Sequence, residues 1–140
     1  MENKIGLACI IDDDNIYVNL IKKIIETKQL CQNLLIFENG KEALLYFETL
    51  LKNLNGESIP EIIFLDLNMP VMDGWEFLES FTQIKNKFGK IITLYIVSSS
   101  INPIDMKRAR NINSVKDYII KPITINELES IFLKGANSSE

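Results

Sequence analysis

Histidine is absent from all 140 residues. That removes an imidazole base, a histidine metal ligand and an internal phosphohistidine from any reading of this chain. Cysteine is scarce. Cys9 and Cys31 lie in or beside apolar segments without CxxC spacing, so buried thiols are expected rather than a disulfide. Excess positive charge is also lacking: 15 basic against 19 acidic residues give a net charge of -4. This argues against general nucleic-acid binding, which needs a basic face. No apolar run approaches the roughly 18 residues of a membrane span, and MENKIG lacks the apolar core of a signal peptide. The expectation is a cytoplasmic protein with no membrane and no nucleic-acid partner.

What is present is ordinary for a folded chain, with 46% hydrophobic and 24% charged residues. The reading is one domain over residues 1–136 and a frayed tail at 137–140. GLACII (6–11) is a first strand, after which Tyr17, Leu20, Ile21 and Ile24 recur at helical spacing. NLLIF (33–37) is a second strand. Asn39, with Glu42 three residues on, caps a helix carrying Ala43, Leu44, Phe47, Leu50, Leu51 and Leu54 on one face. LNGES (54–58) reads as an enlarged loop and IIFLD (62–66) as the third strand. Asp73 and Glu76 cap a helix striped with Phe77, Leu78, Phe81, Ile84 and Phe88. IITLYIV (91–97) is the fourth strand, and Asn102-Pro103 opens a short helix. DYII (117–120) is the fifth. Thr124 and Glu127 form a capping box for a last helix, with Ile125, Leu128, Ile131 and Phe132 inward.

Continuous apolar strands separated by amphipathic helices predict an α/β fold, a doubly wound parallel sheet of five strands with helices on both faces. In such sheets the site lies at the carboxyl ends of the strands. There the sequence places Asp12, Asp13 and Asp14, then Asp66, then Ser98, Ser99 and Ser100, then Lys121. Each has a plain reading by itself: Asp14 as a helix cap, Ser100 as a loop residue, Lys121 as a surface charge. Together they are a carboxylate cluster with a hydroxyl and a cation. Crowded carboxylates are costly to ionise together without a counter-cation, and an all-oxygen set of this kind suits Mg2+. A carboxylate among a metal, a lysine and a hydroxyl can act as the nucleophile toward a phosphoryl group.

Four motifs carry a resemblance: IIDDD at 10–14, FLDLNMPVMDG at 64–74, IVSSS at 96–100 and YIIKP at 118–122. In this order they resemble the CheY-like receiver domain of response regulators, over essentially the whole chain. The resemblance implies a flavodoxin-like sheet in the order 2-1-3-4-5. It implies Asp66 as the phosphoacceptor, Asp13 as a direct Mg2+ ligand, Asp12 acting through metal-bound water, and Asn68 offering its backbone carbonyl. Ser98 and Tyr118 match the switch pair, Lys121 the lysine that meets the phosphoryl oxygen, and Lys121-Pro122 a peptide bond often cis. Asn68 and Ser100 stand where side chains tune hydrolysis. Ser114-Val115 replaces the usual Gly-Ala, which places the local backbone in question.

The implied function is that of a two-component response regulator that catalyses only its own phosphorylation and dephosphorylation. The donor would be a sensor histidine kinase, a histidine phosphotransfer protein or a small acyl phosphate. The state would be read on the face of helix four, strand five and helix five. With nineteen residues after Lys121, a stand-alone receiver with an unidentified protein target is expected. Lys107, Arg108 and Arg110 read as dipole-matched charges on a solvated face, and Trp75 as partly buried packing. Two alternatives stay open: a pseudo-receiver that binds without phosphorylation, and a haloacid-dehalogenase-like phosphatase with Asp12 as nucleophile and Asp14 as acid.

Overall fold

Side-chain alternation along the strands decides the layering. In the computed structural model, which describes residues 4–138, the chain runs β1 (Ile5–Ile11), α1 (Asn15–Thr27), β2 (Cys31–Phe37), α2 (Gly40–Lys52), β3 (Ile62–Leu65), α3 (Gly74–Ile84), β4 (Thr93–Ser98), α4 (Pro103–Arg110), β5 (Val115–Ile120) and α5 (Ile125–Ser138). All strand pairs are parallel, and the order is β2-β1-β3-β4-β5. Odd and even residues of the inner strands then face opposite layers. Cys9, Ile11, Ile63, Leu65, Leu94 and Ile96 meet Ala43, Phe47, Phe77 and Phe81 of α2 and α3. Ala8, Ile10, Ile62, Phe64, Tyr95 and Val97 meet Val18, Ile21, Ile25, Leu128 and Phe132 of α1 and α5. Both faces are covered, and this is why the inner strands read as unbroken apolar runs.

The helix starts match their sequence signals. Asp73 and Glu76 exchange bonds of 2.9 and 3.0 Å, as do Thr124 and Glu127 at 3.0 Å each. Asn39 accepts from the Glu42 N–H, and Asp14 caps α1 by accepting from the Tyr17 N–H. The two cysteines are free. The enlarged loop holds a 3-10 turn at Gly56–Ser58, and the Tyr46 hydroxyl donates to the Ser58 carbonyl at 2.6 Å. Just after Ser114-Val115 the pairing is irregular, with Lys116 as the extra residue. Leu94 pairs with Val115 but Tyr95 with Asp117, and the buried Ser114 hydroxyl shares a hydrogen bond with Thr82.

Some expectations need correction. Leu20 is exposed, because the buried stripe of α1 runs through Val18, Ile21 and Ile25 instead. Leu54 lies beyond the end of α2 and is exposed, and so is Ile125 at the first position of α5. The exposed Ile91 precedes β4, which begins only at Thr93. The helix α5 is assigned through Ser138; the remainder of the expected tail, residues 139–140, lies outside the described residues.

Arg108 of α4 is not simply a solvated charge, since its guanidinium stacks 4.2 Å from the ring centroid of Trp75. Replacing Arg108 with alanine should cost about 0.5–1 kcal/mol and shift the tryptophan emission to longer wavelength. Trp75 is the single tryptophan, so unchanged emission would mean that the stack does not persist in solution.

Candidate functional site

The sheet's hydrogen-bond ladder runs one residue past the strands. The Asp12 N–H donates to the Phe37 carbonyl, the Asp66 N–H to Ile11 and the Lys121 N–H to Ser98, each at 2.9 Å. The residues at the strand ends are thus held about as firmly as the strands. Beyond Asp66 the chain turns sharply. Val71 takes φ 69°, and the Met72 N–H donates to the Pro70 carbonyl at 2.8 Å, a three-residue turn that a β-branched residue rarely occupies. The Met72 carbonyl accepts from the Gly40 N–H, which ties this loop to α2.

On this frame Asp12, Asp13 and Asp66 each present an oxygen within 4.8 Å of the others. Asp12 and Asp66 are buried, whereas Asp13 is exposed. The Lys121 ammonium stands 2.8 Å from Asp12 and 3.6 Å from Asp66. Burial, followed by the charge of Asp12, pushes the Asp66 carboxyl up to about 6. Burial also raises Asp12, outweighing the hydrogen bond from Lys121. For Lys121 burial pulls downward, but the Asp12 hydrogen bond and the charges of Asp12 and Asp66 prevail and raise it. Three carboxylates with one ammonium leave an excess of negative charge. The donors are all hard oxygens, two of them buried and costly to ionise together, and they fit a small divalent cation such as Mg2+.

Ser98 is fully buried at the end of β4, where its hydroxyl accepts from the Ser100 N–H at 3.1 Å. The Tyr118 hydroxyl donates to the Ser100 carbonyl at 2.8 Å, and the Ser100 hydroxyl donates to Asp105 of α4 at 2.7 Å. Ser100 therefore joins the Ser98–Tyr118 pair to α4, a link that the sequence reading missed because Asp105 lies in the next element. Asn68 is exposed on the loop after β3. The Lys121-Pro122 bond is cis. Tyr17 was also missed as a site residue, although it lies in the first turn of the helix that follows Asp12–Asp14: the Lys121 ammonium lies 4.5 Å from its ring centroid.

The model of the response regulator receiver domain family matches residues 8–132. In sequence the chain is 30% identical over 124 residues to the probable methanogenesis regulatory protein FilR2 of Methanothrix harundinacea, spanning 88% of this chain and 76% of that protein. It is 36% identical over 134 residues to the sensor histidine kinase CheAY of Helicobacter pylori, spanning 91% of this chain but only 15% of that protein. A two component response regulator from Cytophaga hutchinsonii superposes with a TM-score of 0.80 at 31% identity, over 96% of this chain and 98% of that one. The phosphatase alternative falls here. Its acid, Asp14, is engaged in capping α1, and the family match points elsewhere. Among the described residues no helix is long and apolar enough to cross a membrane.

Proposed function

The chain belongs to the response regulator receiver domain family of two-component signalling, and we propose that its task is to accept a phosphoryl group on Asp66. The observation that supports this best is one cluster: three carboxylates within 4.8 Å, two of them buried, with a lysine 2.8 and 3.6 Å from the buried pair. An Asp66 oxygen attacks phosphorus in line, the donor's P–N bond breaks, and the imidazole leaves with the bonding pair. These 140 residues hold no histidine, so the donor phosphohistidine comes from outside them, on a sensor histidine kinase or a histidine phosphotransfer protein. Asp13, Asp66 and the Asn68 carbonyl would hold Mg2+ directly and Asp12 through water. When bound, the ion neutralises charge on the carboxylates and on the transferring group.

Lys121 then meets one phosphoryl oxygen and the Ser98 hydroxyl another. Turning toward the phosphoryl group, Ser98 gives up the Ser100 N–H, and Tyr118 responds through its bond to the Ser100 carbonyl. The equilibrium shifts between two arrangements of the α4–β5–α5 face, where a protein target reads it. In this reading residues 1–136 form one cytoplasmic receiver domain, a switch rather than an enzyme that turns over a separate substrate.

The test is intact mass after incubation with acetyl phosphate and Mg2+, for wild type and Asp66→Asn. A single phosphoryl adduct that requires Mg2+ and is lost in the variant is expected. No adduct, even with phosphorylated histidine-containing donors, would favour the pseudo-receiver. An adduct surviving in Asp66→Asn would move the acceptor to another residue.

A further inference from the structure

Tyr17 stands at the start of α1, fixed there by the bond from its N–H to the capping Asp14 carboxylate at 3.1 Å. Its half-buried ring lines a small cavity beneath the strand ends together with Asp12, Asp66, Val97 and Ile123. The Lys121 ammonium lies 4.5 Å from the ring centroid. That ammonium has three close neighbours that attract it, Asp12, Asp66 and the ring, and the exposed Asp14 adds a weaker pull through its charge. A lysine head is a compact charge on a flexible stem, so its neighbours decide where it rests. An aromatic face attracts a cation through its quadrupole, more strongly as water is excluded. The Lys121 side chain is only 13% exposed.

The three neighbours differ in one respect. Asp12 and Asp66 belong to the cluster that fits a divalent cation, and a cation there neutralises the charge that attracts Lys121. The pull of the ring does not depend on those carboxylates. We propose that Tyr17 is a positioning residue for Lys121, its ring face keeping the ammonium at the site so that it meets the phosphoryl oxygen. This rests on the reading of Asp66 as phosphoryl acceptor. The competing account is packing, because Val18, Ile21 and Ile25 on the same helix are simply core. Packing depends on the shape of the ring, whereas holding a cation depends on its charge distribution. Fluorine substitution separates the two, withdrawing electron density from the face with little change in shape.

The experiment compares wild type, Tyr17→Phe, Tyr17→Leu and protein carrying progressively fluorinated phenylalanine at position 17. The readouts are the initial rate of Asp66 adduct formation with acetyl phosphate and Mg2+, the melting temperature, and the metal-free NMR shift of the Lys121 ε-methylene protons. Tyr17→Phe should keep the rate within about twofold, and Tyr17→Leu should slow it about fivefold. Fluorination should lower the rate stepwise at constant melting temperature. The ε-methylene protons should lie upfield in wild type and Tyr17→Phe, and rejoin the other lysines in Tyr17→Leu. A rate that ignores fluorination, or a Tyr17→Leu rate equal to wild type, overturns the role of Tyr17 while leaving Asp66 as acceptor. No adduct on wild type overturns the acceptor reading and the positioning role with it, even where the NMR shifts place the ring against Lys121.

Discussion

Gly74→Ala should destabilise the protein by about 3 kcal/mol or more and slow phosphoryl acceptance as well. A Cβ at this position would clash with the Asp66 carbonyl oxygen and stand 2.8 Å from the Leu67 Cα. Both are backbone atoms, so no side chain can rotate to make room. The first turn of α3 is held against this backbone by the Gly74 N–H, which donates to the Leu67 carbonyl at 2.9 Å. Asp66 in turn is tied to β1 through Ile11. An alanine would therefore force apart either the helix start or the end of β3. Alanine's better helix propensity returns only about 1 kcal/mol, far less than the clash. Urea denaturation gives the loss, and the initial rate of adduct formation shows whether Asp66 has moved. Gly40→Ala is the graded comparison, since its closest contacts are at 2.9–3.0 Å and two of the three are side-chain atoms. A Gly74→Ala midpoint equal to wild type would mean that the loop yields without strain.

Gly74 also shows what the sequence left hidden. It sits inside FLDLNMPVMDG, yet nothing in that string says that the glycine touches the backbone of the acceptor eight residues earlier. The charged groups were legible because their chemistry is carried by residue type and their placement by the ends of apolar runs. A doubly wound sheet brings those ends together, whereas the strand order came only with the resemblance to the receiver family. The outer residues were harder. Periodicity identified α1 but put Leu20 in its stripe, because apolar residues next to a helix stripe look the same whether they point inward or out. Leu54 and Ile91 were swept into elements for the same reason, each being an apolar residue just past an element's true end. Contacts between elements left no local signal at all. Tyr17 against Lys121 and Arg108 against Trp75 are each made by side chains whose meeting depends on the fold, not on spacing in the chain.

Asp66→Asn should make the metal-free protein more stable at neutral pH, even as it abolishes the phosphoryl adduct. Folding lifts the Asp66 carboxyl from the ordinary aspartate range to about 6. A carboxyl raised by folding binds its proton more tightly in the native state, so native stability falls as pH rises from about 4 to about 6. Above that window the full cost is present, on the order of 2–3 kcal/mol; below about pH 4 it has vanished. Asparagine preserves the size of the side chain and cannot ionise. The variant should therefore exceed wild type in urea midpoint at pH 7 and converge with it toward pH 4. Asp12 is raised in the same direction and contributes a slope to both proteins, which is why the difference between them is the quantity to follow. Mg2+ should narrow the difference at pH 7 by stabilising wild type more than the variant, because the acidic oxygens it needs are the ones that repel one another without it. A variant less stable than wild type at pH 7 without metal would give the opposite balance. The 3.6 Å pairing with Lys121 would then outweigh burial, and Asp66 would be settled at its strand end without a cation.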